Sequence, residues 1–341
     1  MKVRGKINSV LIWVTFIFGL NGGPLVHAQD FHLSQYEAFP IYFNPAMTGL
    51  FEGDQRVSVH YRDQWRRVAT RPFVSGAFSF DMPLKKVKNF SIGGFILNNT
   101  AGAGNYNNLN ALISTGYDIK FKNPDHRLSI GAQGGIIHKS LNVGKLLFGE
   151  QFALVEGGAI ADPSLGNGEN YSNQSIFMPS VNTGLIYFYS NDASKFNPFI
   201  GVSSFNLTEP NESFFGATNK LPRRYLIHGG TKYNISPKFQ MAANVMGMLQ
   251  TNAKELTVSV LGYYYFKDSD TYLMFGNTFR SQDVVMAHFG MKYKDFAYRL
   301  SYDLNTSSLA PITRGQGALE LSVVYILKKI DPNPIKSCPR L

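Results

Sequence analysis

The chain has 341 residues, a formal net charge of +10, a single cysteine and 32 glycines. One cysteine excludes an internal disulfide framework. The basic residues are scattered rather than gathered in a stripe, which excludes a nucleic-acid binder, and no second long apolar run exists to make a helical membrane protein.

The first element is a leader. Lys2, Arg4 and Lys6 form a positive start, Val10 to Leu20 is an apolar stretch, and Val26-His27-Ala28 is a small-residue cleavage pattern. The apolar stretch is too short to cross a bilayer core of roughly 30 Å as a helix. Residues 1–28 are therefore expected to be a signal peptide, and its loss lowers the net charge from +10 to about +7. Residues 29–54 are expected as a periplasmic N-terminal segment, with an Asn44-Pro45 turn.

Beyond it, alternation with a period of two recurs along the chain. Val57, Val59 and Tyr61 alternate with Arg56, Ser58, His60 and Arg62, and Tyr298, Leu300, Tyr302 and Leu304 with Arg299, Ser301 and Asp303. Leu319, Leu321 and Val323 alternate in the same way with Glu320 and Ser322. A strand separating lipid from a polar lumen has this form. Fourteen such runs are predicted, at 55–65, 72–82, 89–98, 106–120, 126–138, 178–189, 195–206, 222–234, 238–250, 252–266, 271–280, 282–293, 295–304 and 316–328. The expectation is an all-β fold: a transmembrane antiparallel β-barrel of about 14 strands over 55–328, in the outer membrane and in contact with its lipids. The longest connections, 139–177, 207–221 and 305–315, all fall on one side of the alternation, as outer loops should, which puts both termini in the periplasm. Within the first of them, Gly149 to Ser175 is the one candidate for local helix or a plug-like excursion. Residues 329–341, with Pro332, Pro334 and Pro339, cannot extend the last strand and are expected to be a periplasmic tail.

No catalytic, cofactor or metal motif emerges. The histidines show no zinc-protease spacing, no G-x-S-x-G elbow occurs, and Ser58 and His60 share the lumen face rather than the lipid face. The protein is expected to be no enzyme and to need no cofactor. The candidate site residues are the predicted lumen charges Arg56, Arg62, Arg299, Asp303 and Glu320, read either as ion pairs that close the barrel or as a selectivity filter. A barrel of this size allows an open or a plugged lumen. Trp65 is expected at the outer end of the first strand, level with Tyr61 in facing, as an aromatic-belt residue.

Gln29-Asp30-Phe31-His32-Leu33-Ser34-Gln35-Tyr36 is followed by Asn44-Pro45-Ala46, Thr48-Gly49, Tyr61-Arg62-Asp63-Gln64-Trp65 and Asp81-Met82-Pro83-Leu84. Tyr302-Asp303, Gly317-Ala318-Leu319-Glu320 and Cys338-Pro339-Arg340 complete the series. The order resembles the PorP/SprF family of Bacteroidota. The resemblance implies an outer-membrane barrel serving the type IX secretion system and, in gliding species, the motility apparatus. It also implies partners: a secreted adhesin or its C-terminal domain, or periplasmic ring components of the machine. On this reading Asn44, Pro45, Asp63, Gln64, Trp65 and Cys338 join the lumen charges as candidate partner-binding or lumen positions. The function expected is an accessory or anchor for secretion and surface attachment of a large cargo; a diffusion porin or substrate-specific channel is the alternative.

Overall fold

The computed structural model describes residues 32–328, apart from 67, 68, 70, 103, 156, 157, 163, 167–173 and 192. The leader at 1–28, the tail at 329–341 and Cys338 lie outside the described residues, as does Arg67.

The described chain forms a closed antiparallel barrel of fourteen strands. Its first five strands are β1 (Gln55–Gln64), β2 (Phe73–Pro83), β3 (Phe90–Ala101), β4 (Tyr106–Lys120) and β5 (His126–Ser140). After a long connection come β8 (Ser175–Tyr189), β9 (Phe196–Phe205), β10 (Arg224–Asn234), β11 (Phe239–Gln250) and β12 (Ala253–Phe266). The last four are β13 (Thr271–Arg280), β14 (Val284–Tyr293), β15 (Phe296–Asn305) and β16 (Gln316–Leu327). Every one coincides with a run of alternation, with ends displaced by at most three residues. The agreement has a physical cause. In a barrel wall each residue faces either lipid or lumen, so polarity follows the pleat without interruption.

The outward face is apolar. Ile113 is 65% exposed and Phe289 58%, while their strand neighbours Ser114 and His288 are buried inside. The first and last strands close the wall through an unbroken register from Gln55–Leu327 to Gln64–Ala318, so no strand edge is left unpaired. A register shift between Tyr302 and Leu304 marks a bulge where β15 meets β16, and Asp303 sits in it, fully buried.

One end of the barrel, the turn end, carries tight connections such as 121–125, 235–238 and 267–270, and the start of β1 and the finish of β16 lie there. The loop end carries the long connections 141–174, 206–223 and 306–315. Within the first of these, β6 (Phe152–Val155) and β7 (Gly158–Ala161) form a separate two-stranded hairpin. No helix among the described residues is long and apolar enough to cross a membrane.

The largest departure from expectation concerns 29–54. Its described part does not lie outside the barrel as a periplasmic segment. From Leu33 to Leu50 nearly every residue is buried, packed against lumen-facing side chains of almost every strand. The plug of this barrel is therefore its N-terminal segment; within 149–175, the candidate for a plug-like excursion, the described strands β6 and β7 pair only with each other. The composition explains the choice. Leu33, Tyr36, Phe39, Ile41, Phe43, Met47, Leu50 and Phe51 are too apolar to be left in water without a partner, and the lumen is the nearest place to bury them.

Candidate functional site

The site is the interface between this plug and the barrel wall. The plug enters at the loop end, where His32 lies 3.5 Å from Glu255 and the Leu33 carbonyl accepts from Arg280 at 3.2 Å. It leaves at the turn end, where the Asp54 amide donates to Leu327 at 2.7 Å. Between these points the backbone makes a 3-10 turn at Tyr36–Ala38, one turn of helix at Pro40–Phe43 and a second 3-10 turn at Pro45–Met47. Proline opens the helix and the second 3-10 turn, where its missing N–H costs nothing. Asn44 caps that turn by accepting from the Ala46 amide at 2.9 Å.

Three apolar clusters seat the plug. Leu33, Phe39 and Ile41 pack on Phe95, Leu97 and Leu112 of β3 and β4. Tyr36 and Phe43 pack on Phe205, Leu226 and Met246, and Ala46, Met47 and Leu50 on Ile186, Phe188 and Phe199. Where the backbone itself touches the wall, the wall has no side chain. Gly131 on β5 and Gly184 on β8 are register partners. A Cβ at Gly131 would stand 2.2 Å from the Pro45 carbonyl carbon, and one at Gly184 would stand 2.0 Å from the Asn44 side-chain oxygen. Gly131 provides room for a close approach of the plug backbone, and Gly184 room for the Asn44 side chain.

Buried charges fasten both ends of the plug. Near the loop end, Arg62 donates to Glu320 at 3.1 Å and lies 2.9 Å from Asp303. Arg62 also donates to the Ser34 hydroxyl, which in turn donates to Asp303 at 2.7 Å. The Glu320 carboxylate accepts the backbone amides of Ser34 at 2.8 Å and Gln35 at 3.0 Å. Toward the turn end, Arg56 grips Asp81 in a two-pronged contact at 2.9 and 2.7 Å. Asp81 also accepts from the Gly49 amide at 2.7 Å, and the Arg56 guanidinium lies 4.7 Å above the Phe51 ring. Each ion pair thus also hydrogen-bonds the plug. Midway, Glu37 accepts from Asn244 at 2.5 Å and Ser259 at 3.0 Å, with Arg299 at 3.9 Å.

The structure thus brings Arg56, Arg62, Asp303, Glu320, Asn44 and Pro45 into this one interface and leaves Arg299 at its margin. Asn44 donates to the Leu185 carbonyl at 3.2 Å, and its amide nitrogen lies 2.9 Å from His228 Nε2. Gln64 accepts from Arg62 at 3.5 Å. Asp63 turns to the other face and pairs with Arg66, and that hydrogen bond raises the Arg66 pKa above its usual value. Trp65 does not continue the strand: with φ at 60° it leaves β1, donates its amide to Gly317 at 3.0 Å and stands edge-on to Phe73. Ser34, Gln35, Glu37, Asp81 and Asn244 were not among the sequence candidates. The signal available for Asp81 was its place opposite Arg56 in the first hairpin; for the plug residues it was their apolar density.

Among the described residues no group of three or more His, Cys, Asp or Glu side chains could hold a metal ion. His60, which shares the lumen face with Ser58, is packed against Phe39 and lies 3.1 Å from the Ala38 carbonyl.

Asn44-Pro45, Gly49, Arg62 and Asp81, in this order, are contacts of this interface and also members of the motif series read from the sequence. The family model of the type IX secretion system membrane protein PorP/SprF matches residues 25–325. The chain belongs to the PorP/SprF family. It is accordingly an outer-membrane barrel associated with the type IX secretion system. Of the motifs of this PorP/SprF chain, Ser34-Gln35, Gly49, Arg62, Asp81, Asp303 and Glu320 take part in fastening its plug.

No curated protein matches the chain. Among solved structures, the Ralstonia pickettii toluene transporter TbuX is similar at 10% identity, over 84% of this chain and 92% of its own, with a TM-score of 0.48. The monoaromatic hydrocarbon channel CymD is 12% identical over 86% of this chain and 93% of its own, with a TM-score of 0.47. The KdgM porin in complex with disordered oligogalacturonate is 8% identical over 79% and 98%, with a TM-score of 0.39. These likenesses concern the barrel fold and say nothing of what this chain carries or binds.

Proposed function

We propose that this PorP/SprF barrel is a non-catalytic anchor, working by protein–protein contact rather than by conducting solutes. The turn end faces the periplasm and the secretion machine. The loop end faces outward and holds a secreted adhesin or its C-terminal domain. The observation that carries the reading is the filled lumen: Leu33 to Phe51 occupies the path a solute would take, fixed by two sets of buried ion pairs. A diffusion channel would leave that path to water.

The test has two arms. Purified protein in a planar bilayer is expected to show no steady conductance, and deletion of the gene is expected to move a cell-surface adhesin into the medium, with restoration by the intact gene. Steady open conductance together with unchanged adhesin attachment would establish the channel reading instead.

A further inference from the structure

The turns at the turn end carry their charge unevenly. The β2–β3 turn, 84–89, holds Lys85, Lys86 and Lys88, while Lys120 ends β4 and Lys122 sits in the β4–β5 turn, 121–125. β3 and β4 are neighbours in the wall, and the Asp118 amide donates to the Asn89 carbonyl at 2.8 Å, so the two turns stand side by side. The carboxylates around them are engaged elsewhere. Asp54 pairs with Lys85 at 2.5 Å, Asp118 is held by Arg127, Asp81 by Arg56, and Asp125 accepts from Asn191 at 2.6 Å. Among the described residues, Lys86, Lys88, Lys120 and Lys122 are exposed and take part in no ion pair. On the far side of the ring, in the turns 267–270 and 294–295, Lys267 and Lys294 share their turns with Asp268, Asp270 and Asp295.

Apolar side chains stand among these four lysines. Val87 and Phe121 are exposed in the same two turns, and Tyr117, register partner of Phe90 and Ile130, is exposed on the outward face just inside them. A tyrosine on the outward face near a strand end sits where hydrocarbon gives way to headgroups. Lys120 lies three residues beyond it, about 10 Å along a strand tilted by about 40°, and so about 7–8 Å further along the membrane normal. The headgroup layer is about 5–8 Å deep on each side of the bilayer, which puts the lysines level with the lipid phosphates. We infer that this patch, on the β2–β5 side of the ring, binds the headgroups of anionic phospholipids in the leaflet at the turn end. A phosphate diester with net negative charge gains from four unpaired ammonium groups, whereas a zwitterionic headgroup brings a cation of its own. An acidic protein would meet the same charge, but the bilayer beside the turns also covers Val87 and Phe121 with its acyl chains. The orientation proposed above makes this the periplasmic leaflet, and the binding itself is independent of that orientation.

The experiment is native mass spectrometry of the purified full-length barrel, released from detergent after incubation with phosphatidylglycerol or with phosphatidylcholine of the same acyl chains. Retention of phosphatidylglycerol is expected to exceed that of phosphatidylcholine, and to fall by about tenfold or more in Lys86→Gln/Lys88→Gln/Lys120→Gln/Lys122→Gln. Lys145→Gln/Lys220→Gln/Lys254→Gln/Lys267→Gln removes the same charge outside the patch and should change retention by less than about twofold, since charges beyond a Debye length are screened. Glycerol phosphate, which has the headgroup chemistry without acyl chains, and a glutamate-rich peptide should each fail to displace the lipid. Folding of each variant is read from its heat-modifiable gel mobility. Equal retention of the two lipids, an equal fall in the control variant, or retention indifferent to the four lysines in a folded variant would each overturn the assignment. Displacement by glycerol phosphate or by the peptide would overturn it too, in favour of a free phosphate or an acidic protein. The assay reads neither conductance nor adhesin attachment, so this inference and the proposed function can fail separately.

Discussion

Arg62 on the first strand and Glu320 on the last are register partners across the seam that closes the barrel, and their 3.1 Å contact also holds the plug. Glu320 accepts the Ser34 and Gln35 amides while Arg62 donates to the Ser34 hydroxyl. Closure of the wall and seating of the plug are thus one event at this point: neither charge is satisfied until both are complete.

Removing one partner should therefore cost more than an ordinary salt bridge. Glu320→Gln leaves Arg62 buried with Asp303 alone, and a broken buried pair costs about 3–5 kcal/mol. The expected outcome is a clear fall in the temperature at which the barrel loses its compact gel mobility. Asp63→Asn, whose carboxylate pairs with exposed Arg66 and not with the plug, should shift it less.

Arg56→Lys tests the other latch. Lysine keeps the charge but cannot reproduce the two-pronged contact with Asp81 or lie flat over Phe51. A loss of about 1–3 kcal/mol in urea unfolding is expected, together with faster protease cleavage within residues 44–52 in the folded barrel.

The placement of the plug can be checked by a cross-link. The Thr48 and Ser114 hydroxyls lie 2.5 Å apart, one on the plug and one on β4. Thr48→Cys with Ser114→Cys, in a Cys338→Ser background, should oxidise to a disulfide in the folded protein and not in the urea-unfolded chain. Absence of the disulfide from folded protein would place the plug elsewhere.

Gly131→Val should dislodge the plug, since its first added carbon meets the Pro45 backbone at 2.2 Å and backbone cannot step aside cheaply. Measurable bilayer conductance is expected where the parent shows none. Gly134→Val, at a site where nothing lies within 4 Å of the added carbon, should leave conductance unchanged.

The lipid face makes a separate prediction. Ile113, in the middle of β4 and 65% exposed, should tolerate Leu, whereas Ile113→Arg should cost about 2–4 kcal/mol in lipid vesicles.

How much of this could be read without coordinates differs between wall and plug. The strands were legible because a residue in a barrel wall has two possible environments, and sequence polarity reports which one it occupies. Arg56, Arg62, Asp303 and Glu320 were placed in the lumen by that rule alone. Their partners were not, because alternation gives a facing and not a distance. Trp65 was misread for a related reason: periodicity carried the strand one residue too far, past the point where a left-handed backbone turns it off β1.

The sequence by itself determined the wall: fourteen strands, their order, their inward and outward faces, and through its motifs the family. Only the tertiary structure decided the lumen. The segment from Leu33 to Phe51 has no period to read, and its apolar residues needed only some buried surface. That the surface is the barrel's own interior follows from groups far apart in the chain, the glycines of β5 and β8 and the charges of β1, β2, β15 and β16, which meet only when the ring closes.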